Sequence, residues 1–291
     1  MKTNFDRNNL RLAVQKKGRL TAGTIEFLEK SGLVLDTDSQ RLFAKCRNFP
    51  LDIVFLRDED IPDFVENGTV DIGIVGENVL IEKNSTVVKR IFLNFGYCRL
   101  VIAVQKDSSV KTIKQLMNEK ISTSYPKSVA RFFKQKNIPV KIVKVKGSVE
   151  LSPALGLTSV IADLTSTGST LAISDLRILE TIFKSQAILV SKKNVVKEKE
   201  DLINNLVFRF KASQDAQKYK YIMMNAPRNK LEEIKKIVPG LKSPTIAQLV
   251  TKNWISIQTV IEENLFWEKI QKIKAAGATG ILVLPIEKLI K

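Results

Sequence analysis

The sequence contains no histidine and only two cysteines, Cys46 and Cys98, among 291 residues. Without histidine, neither a Cys/His zinc site nor a histidine-based catalytic triad can form. Two cysteines also cannot build the disulfide framework of a small secreted domain. Most hydrolase mechanisms are therefore excluded.

Long apolar runs are also missing. No stretch approaches the roughly 18 uninterrupted apolar residues that suggest a membrane span. The first ten residues, MKTNFDRNNL, lack the apolar core of a signal peptide, so we expect a cytoplasmic protein. Hydrophobic residues make up 44% of the chain, which is enough to fill the cores of two or three domains.

Acidic residues are few, at 30 against 47 basic ones, and the formal net charge is +17. Such a charge favours polyanionic partners: nucleic acid, nucleotides or phosphorylated sugars. Surplus lysine on solvated faces, as in a lysine-rich proteome, explains the charge equally well. Only 7% of residues are aromatic and no recognition motif or basic-aromatic stripe occurs, so nucleic acid has the least support.

The first two thirds of the chain predict two α/β lobes. Short apolar runs alternate with helical patterns, which is typical of parallel strands separated by helices. The pattern restarts after residue 105 and closes with a helix through Leu171 to Phe183. A last strand returns the chain to the first lobe and leaves a cleft between the lobes, where ligands of α/β folds tend to bind. The predicted strands are 10–15, 51–56, 70–76, 98–105, 120–126, 139–145, 159–164 and 187–191.

From Lys218 onward the order of predicted elements is β-α-β-β-α-β, the ferredoxin-like arrangement. Apolar residues recur at helical spacing in its two helices and are expected in the core: Leu231, Ile234, Val238, Phe266, Ile270 and Ile273. The predicted boundaries are 1–105 with 186–217 for the first lobe, 106–185 for the second, and 218–291 for the C-terminal domain.

Residues 162–171 read ADLTSTGSTL, an aspartate followed by a loop of hydroxyl residues and glycine. The glycine lets the backbone approach a ligand, and the loop N–H groups and hydroxyls can donate to phosphate oxygens. Asp163 can accept both hydroxyls of a ribose ring. An ordinary helix N-cap favours the same residue types, so the loop alone leaves both interpretations open. It is neither a P-loop nor G-x-G-x-x-G, which gives a P-loop ATPase or a dinucleotide-binding dehydrogenase no support.

Four further motifs accompany the loop: QKKGRL (15–20), DIGIVGENVL (71–80), SYP (124–126) and GSVE (147–150). With the final β-α-β-β-α-β segment, the set resembles the long form of ATP phosphoribosyltransferase, the first enzyme of histidine biosynthesis. The resemblance runs in order from Leu10 to Lys288; each motif is weak alone, and the set is specific. It implies an α/β fold with a two-lobed, periplasmic-binding-protein-like catalytic core and a C-terminal ferredoxin-like regulatory domain.

The resemblance also implies residue roles. Glu150 and Asp163 match the family's acidic pair around the ribose hydroxyls and are the catalytic candidates. Tyr125 resembles the aromatic residue that packs on adenine. Phosphoribosyl pyrophosphate would be bound by Thr165, Ser166, Thr167, Gly168, Ser169 and Thr170. ATP would be bound by Lys16, Gly18, Arg19, Asp71, Glu77, Arg99 and Tyr125. For single residues plainer roles stay open, such as a turn cap for Asp71, a core position for Tyr125 and a solvated charge for Arg19.

The reaction implied is attack of adenine N1 of ATP on C1′ of phosphoribosyl pyrophosphate, with release of pyrophosphate. It needs no histidine or serine nucleophile, because N1 has its own lone pair; it needs positioning, cationic donors and Mg²⁺. No metal ligands are predicted. The family's third domain binds histidine as a feedback inhibitor, expected here near Thr245, Ala276 and Gly277. A homo-hexamer built from dimers is the implied assembly.

One alternative from another class stays open. A two-lobed small-molecule-binding module without catalysis would show the same return of the chain between lobes and the same DIGIVG strand. Such proteins are usually exported, and no export signal is evident in this sequence. They also do not require a hydroxyl-rich loop beside an acid.

Overall fold

The computed structural model describes Asp6, residues 8–36 and residues 42–291. The chain divides into two compact units, one comprising the chain up to Glu29 with Leu33–Asn204, the other Lys30–Gly32 with Asn205–Lys291. Among the helices of the described ranges, none has both the length and the apolar content that a bilayer crossing requires.

Fifteen strands and eight α-helices follow one another along the described residues. The strands are β1 Leu10–Gln15, β2 Phe43–Lys45, β3 Leu51–Leu56, β4 Ile72–Gly76, β5 Val88–Phe92, β6 Cys98–Gln105, β7 Lys120–Thr123, β8 Lys141–Lys144, β9 Val160–Thr165, β10 Leu176–Ser185, β11 Ala187–Ser191, β12 Tyr219–Pro227, β13 Thr245–Gln248, β14 Trp254–Glu262 and β15 Thr279–Pro285. The helices are α1 Thr21–Lys30, α2 Ile61–Glu66, α3 Glu77–Lys83, α4 Pro126–Gln135, α5 Ser169–Ile173, α6 Lys197–Gln217, α7 Leu231–Ile237 and α8 Glu263–Ala275.

The first lobe is a six-stranded sheet in the order β2-β3-β1-β4-β11-β5. Strand β1 runs parallel to both β3 and β4, and β11 lies antiparallel between β4 and β5. Every residue of β4 and β11 is buried, which is typical of strands that are covered on both faces of a sheet. The parallel strands end together at Gln15, Leu56 and Gly76, so the segments that follow them meet at one edge of the sheet.

The second lobe is a five-stranded sheet in the order β10-β6-β9-β7-β8. One face buries Val101, Ala103 and Ile161 against a core that includes Leu171. The other face packs against α4 through Val129 and Phe133. The predicted two-lobed α/β core is confirmed.

Two expectations for this lobe are wrong. The helix predicted through Leu171 to Phe183 ends at Ile173, and Leu176–Ser185 is a strand paired antiparallel with β6. Asp175 has a left-handed φ of 52°, which ends the helix and turns the chain into β10. Strand β6, assigned by sequence to the first lobe, pairs with β9 and β10, so the second sheet begins at Cys98 and not after residue 105.

The second unit contains a four-stranded antiparallel sheet in the order β13-β14-β12-β15. Together with α7 and α8 its strands follow the predicted β-α-β-β-α-β order, which is confirmed. The core of this unit buries four of the residues expected there and packs the other two, Leu231 and Ile270, against it as partly buried side chains. The four buried ones are Ile234, Val238, Phe266 and Ile273.

Candidate functional site between the two lobes

The segment after β1 displays cationic side chains at the carboxyl edge of the first sheet. Gln15 organises it, since its side chain accepts the N–H of Leu20 at 2.9 Å and its backbone oxygen accepts the Thr21 hydroxyl at 3.1 Å. Gly18 has a φ of 145°, a backbone conformation that residues with a side chain rarely adopt, so glycine is favoured at this turn. Lys16, Lys17 and Arg19 are left exposed beside the edge.

Asp58, which follows β3 at the same edge, was not predicted as a site residue. Its carboxylate is largely buried and accepts a hydrogen bond from the backbone of Gly76, while Oδ1 has no hydrogen-bond partner. Burial raises its pKa to about 6, although the charge of Arg19 lowers it. The signal available in the sequence was its position, directly after the end of a buried parallel strand.

Tyr125 directly precedes α4 in the second lobe, as its N-cap residue, and meets the first lobe through its hydroxyl. The Asn78 side chain of α3 hydrogen-bonds that hydroxyl. Burial raises the pKa of Tyr125 well above its usual range, and the charges of Asp163 and Asp58 raise it further. Tyr125 is therefore close to carboxylates from both lobes.

A cleft of about 880 Å³ lies between the lobes and includes Tyr125 in its lining. Six cationic side chains and three acidic ones line it, a balance that suits a polyanionic ligand. The cationic residues are Lys17, Arg57, Lys83, Lys127, Lys144 and Lys146; the acidic ones are Asp58, Glu59 and Glu82. Of the residues predicted from sequence, Tyr125 alone belongs to this lining as the structure describes it.

Asp163 and Glu150, the predicted acidic pair, are close enough for the charge of one to act on the other. Asp163 lies on β9, and its Oδ1 accepts the N–H of Leu164 at 2.8 Å. Burial raises the pKa of Asp163 to about 6, and the negative charge of Glu150 adds to the increase. Arg99 lies opposite Thr165 and Val101 opposite Asp163, so Arg99, Asp163 and Thr165 share one face of the second sheet.

The hydroxyl-rich loop connects β9 to α5. The Thr165 hydroxyl is buried and accepts the N–H of Gly168 at 2.8 Å, and the hydroxyls of Thr167 and Ser169 lie 2.9 Å apart. Gly168 has a left-handed φ of 92°. Ser166, Thr167, Ser169 and Thr170 are exposed. The loop thus presents four hydroxyl side chains on a backbone that needs glycine at its turn.

Asp71 is not brought to the site. It lies at the amino end of β4, so the five residues of that strand separate it by roughly 15 Å from the edge where Gly76 ends the strand. Its buried carboxylate accepts Lys199 Nζ at 2.7 Å and the N–H of Arg11 at 2.9 Å. A role in holding the start of α6 replaces the predicted contact with nucleotide.

Glu77 does lie at the carboxyl edge, as the first residue of α3. Its carboxylate already forms an ion pair with Lys89 at 2.6 Å. The structure therefore places Glu77 at the site edge with a cationic partner of its own.

The three residues predicted for a histidine inhibitor do not lie together. Thr245 is exposed on β13 opposite Gln258, and Ala276 is buried in the core of its unit. Gly277 lies beside Pro227, and Pro227 pairs with Trp254 on β14. Trp254 and Gln258, the partner of Thr245, are four residues apart on that strand, which corresponds to about 13 Å.

Comparison with known proteins gives consistent matches over both units. The family model described as HisG: ATP phosphoribosyltransferase matches residues 57–212, and that of the HisG C-terminal domain matches residues 216–288. The ATP phosphoribosyltransferases of Parabacteroides distasonis and Bacteroides fragilis are each 44% identical over 283 residues, 97% of this chain and 99% of each relative. A chain of the solved ATP phosphoribosyl transferase (HisG:HisZ) complex from Thermotoga maritima superposes with a TM-score of 0.60 at 28% identity. That match covers 69% of this chain and 96% of the Thermotoga chain.

Proposed function

Because the chain belongs to the ATP phosphoribosyltransferase family, in its long form with the C-terminal domain, we propose that it catalyses the first step of histidine biosynthesis. In that reaction the lone pair of adenine N1 forms a bond to C1′ of phosphoribosyl pyrophosphate. The bond from C1′ to the pyrophosphate oxygen breaks, and pyrophosphate leaves with the electron pair. The products are N1-(5-phosphoribosyl)-ATP and pyrophosphate. The 44% identity over 97% of the chain carries this proposal.

The phosphoribosyl half of the site is assigned to the second lobe. Asp163 and Glu150 accept the ribose hydroxyls, and the loop from Thr165 to Thr170 donates hydroxyl and N–H groups to the 5′-phosphate. A pKa of about 6 leaves Asp163 mostly ionised at neutral pH, as an acceptor for both hydroxyls requires. Arg99, on the same sheet face as Asp163, supplies a cation for the departing pyrophosphate.

The ATP half is assigned to the cleft between the lobes. Tyr125 packs on adenine, and Lys16, Gly18 and Arg19 face the nucleotide phosphates. Glu77 stays in the proposal as an edge residue whose ion pair with Lys89 borders the nucleotide. Six cations in the cleft lining support binding of a triphosphate.

Mg²⁺ is part of the proposal because both substrates are polyphosphates. Within the residues that the structure describes, no three acidic or cysteine side chains cluster in a way that holds a metal. Two carboxylates, Glu150 and Asp163, do lie together, and Mg²⁺ commonly uses one or two carboxylates plus substrate phosphates. These residues fit such a shared set, and an ion held there would supply positive charge for the leaving pyrophosphate.

Feedback inhibition by histidine, a homo-hexamer built from dimers and a cytoplasmic location complete the proposal. They follow from the family's long form, and Thr245, Ala276 and Gly277 are the residues assigned to the inhibitor. Since Thr245 lies apart from the adjacent residues Ala276 and Gly277, a second subunit would have to complete the site. Light scattering with and without histidine tests the assembly, and inhibition of product formation by histidine tests the regulatory role.

The activity is tested by incubating the protein with ATP, phosphoribosyl pyrophosphate and Mg²⁺ and following the near-ultraviolet absorbance of N1-ribosylated adenine. The wild type should form product, and Asp163→Asn should lose most of the rate. Asp107→Asn, an exposed aspartate outside the site, is the matched control. A folded wild type that binds ATP but forms no product would replace the transferase with the small-molecule-binding alternative.

A further inference from the structure

Helix α3 of the first lobe carries two polar side chains that reach the second lobe. Asn78 is 1% exposed, and Glu82 follows it by four residues, so both lie on one face of the helix. Both contact the segment from Tyr125 to Ser128, where α4 begins. Glu82 lies outside the motifs that predicted the site, and Asn78, although inside DIGIVGENVL, was not among the predicted site residues.

Glu82 satisfies the free N–H groups at the start of α4. Its Oε1 accepts the N–H of Lys127 at 2.9 Å and its Oε2 accepts that of Ser128 at 2.8 Å. The first residue of α4 is Pro126, which has no N–H, and the N-cap residue makes no side-chain cap hydrogen bond. The first-turn donors that a helix usually pairs with its own cap residue are thus paired with the other lobe.

Asn78 is fixed from its own side and holds the Tyr125 hydroxyl. Its backbone N–H donates to Ser185 Oγ at 2.9 Å, and Ser185 Oγ donates to Asn78 Oδ1 at 3.0 Å. With Oδ1 taken, the amide nitrogen is the group left to donate to the Tyr125 hydroxyl. The orientation of Tyr125 is therefore set by a buried network anchored outside its own helix.

We propose that Asn78 and Glu82 are positioning residues for ATP. They hold Tyr125 and the start of α4 against the first lobe, in the arrangement that binds adenine. This inference rests on the function proposed above, because it acts through Tyr125. Both Glu82 oxygens are occupied by backbone amides, so Glu82 forms a wall of the cleft and does not bind the nucleotide itself.

The charge of Glu82 allows positioning to be separated from electrostatics. Removing a carboxylate from a cationic cleft strengthens the attraction for ATP, which by itself lowers KM. Loss of positioning has the opposite sign and raises KM. Glu59 is a matched control because it is an exposed carboxylate of the same lining and lies outside α4.

The experiment measures kcat, KM for ATP and backbone hydrogen exchange in Glu82→Ala, Glu82→Gln, Asn78→Ala and Glu59→Ala. For Glu82→Ala we expect a KM for ATP about tenfold higher, the equivalent of one lost hydrogen bond, with kcat within about threefold. Exchange at Lys127 and Ser128 should accelerate. Glu82→Gln should be intermediate, because the amide NH2 group takes the place of one of the two carboxylate oxygens that accept these N–H groups. Glu59→Ala should leave exchange at these two amides unchanged.

A double-mutant cycle tests the route through Tyr125. Asn78→Ala should raise KM for ATP in the wild-type background and change it little in Tyr125→Phe, which lacks the hydroxyl. An equal effect in both backgrounds would refute action through Tyr125. An unchanged or lowered KM for ATP in Glu82→Ala would overturn the proposal. If Glu82→Ala does not fold, the KM of Glu82→Gln gives the answer: a raised value supports the proposal and an unchanged or lowered value overturns it. If the wild type forms no product, the proposed transferase function fails. The positioning role is then tested by the dissociation constants for ATP of the same variants, which should rise if Glu82 and Asn78 position Tyr125 and stay unchanged if they do not.

Discussion

Replacing Asp58 by asparagine should stabilise the protein in a pH-dependent way. The folded environment raises the pKa of Asp58 from 3.8 to about 6, mainly because the carboxyl is buried. A shift of about two units at 1.36 kcal/mol each means that ionised Asp58 costs the folded state about 3 kcal/mol. Asparagine keeps the shape of the protonated side chain and has no charge, so the variant avoids this cost.

The sign follows from where the proton binds more tightly. The folded state takes up the Asp58 proton near pH 6 and the unfolded chain only near pH 4, so wild-type stability gains from this group as pH falls through that window. Above about pH 7 the cost is fully present. The free energy of unfolding of Asp58→Asn should therefore exceed that of the wild type by about 3 kcal/mol at pH 8 and by only about 0.5 kcal/mol at pH 4.

Denaturant-induced unfolding of both proteins between pH 4 and pH 8 measures this difference. Asp107→Asn, which removes an exposed carboxylate, serves as the control and should give a nearly constant difference from the wild type. A stability difference for Asp58→Asn that does not change with pH would refute the reasoning. It would mean that burial of Asp58 does not disfavour its charge.

Three further predictions concern the loop, the start of α6 and the acidic pair. Gly168→Ala should raise KM for phosphoribosyl pyrophosphate and lower the free energy of unfolding by about 1 kcal/mol, because φ is 92° there. Gly156→Ala is the control: its φ is 69°, its Cβ would meet open space, and it lies outside the hydroxyl-rich loop, so KM should not change. Lys199→Met should lower the free energy of unfolding by about 3–5 kcal/mol, because it leaves the buried Asp71 carboxylate without its cation. Thermal unfolding measures this loss, and Lys193→Met, at an exposed lysine, should change stability little. The value of kcat/KM should fall as pH drops below about 6, when Asp163 becomes protonated, and a flat profile there would contradict its role at the ribose hydroxyls.

Element type was predictable where the hydrophobic pattern allowed one interpretation. Strands β1, β3, β6 and β11 are mostly apolar, with at most one charged residue each, and their predicted limits agree with the structure. Strand β10 was misread as helix because its apolar residues also recur at spacings of three and four. Two register irregularities, at Ile178/Glu180 and Thr181/Phe183, break the two-residue alternation that marks a strand.

The site was predictable from sequence only where its residues belong to recognised motifs. The pair Glu150 and Asp163 came from recognised motifs, and the charge of Glu150 raises the pKa of Asp163 in the structure. Asp71 was assigned wrongly because a motif spanning a whole strand does not say which end of the strand faces the ligand. Asp58 and Glu82 act through contacts between separate segments, such as Glu82 with Ser128, 46 positions later, and no local pattern reports them. Asn78 lies within the DIGIVGENVL motif, but the motif does not report its contact with Tyr125.

The position of β11 between β4 and β5 has a consequence for synthesis of the chain on the ribosome. All strands of the second sheet lie between Cys98 and Ser185, so that sheet can assemble as soon as this contiguous stretch has emerged. The first sheet lacks an interior strand until residues 187–191 follow. The lobe translated first is therefore the one that must wait, with the edges of β4 and β5 unpaired, for the lobe translated after it.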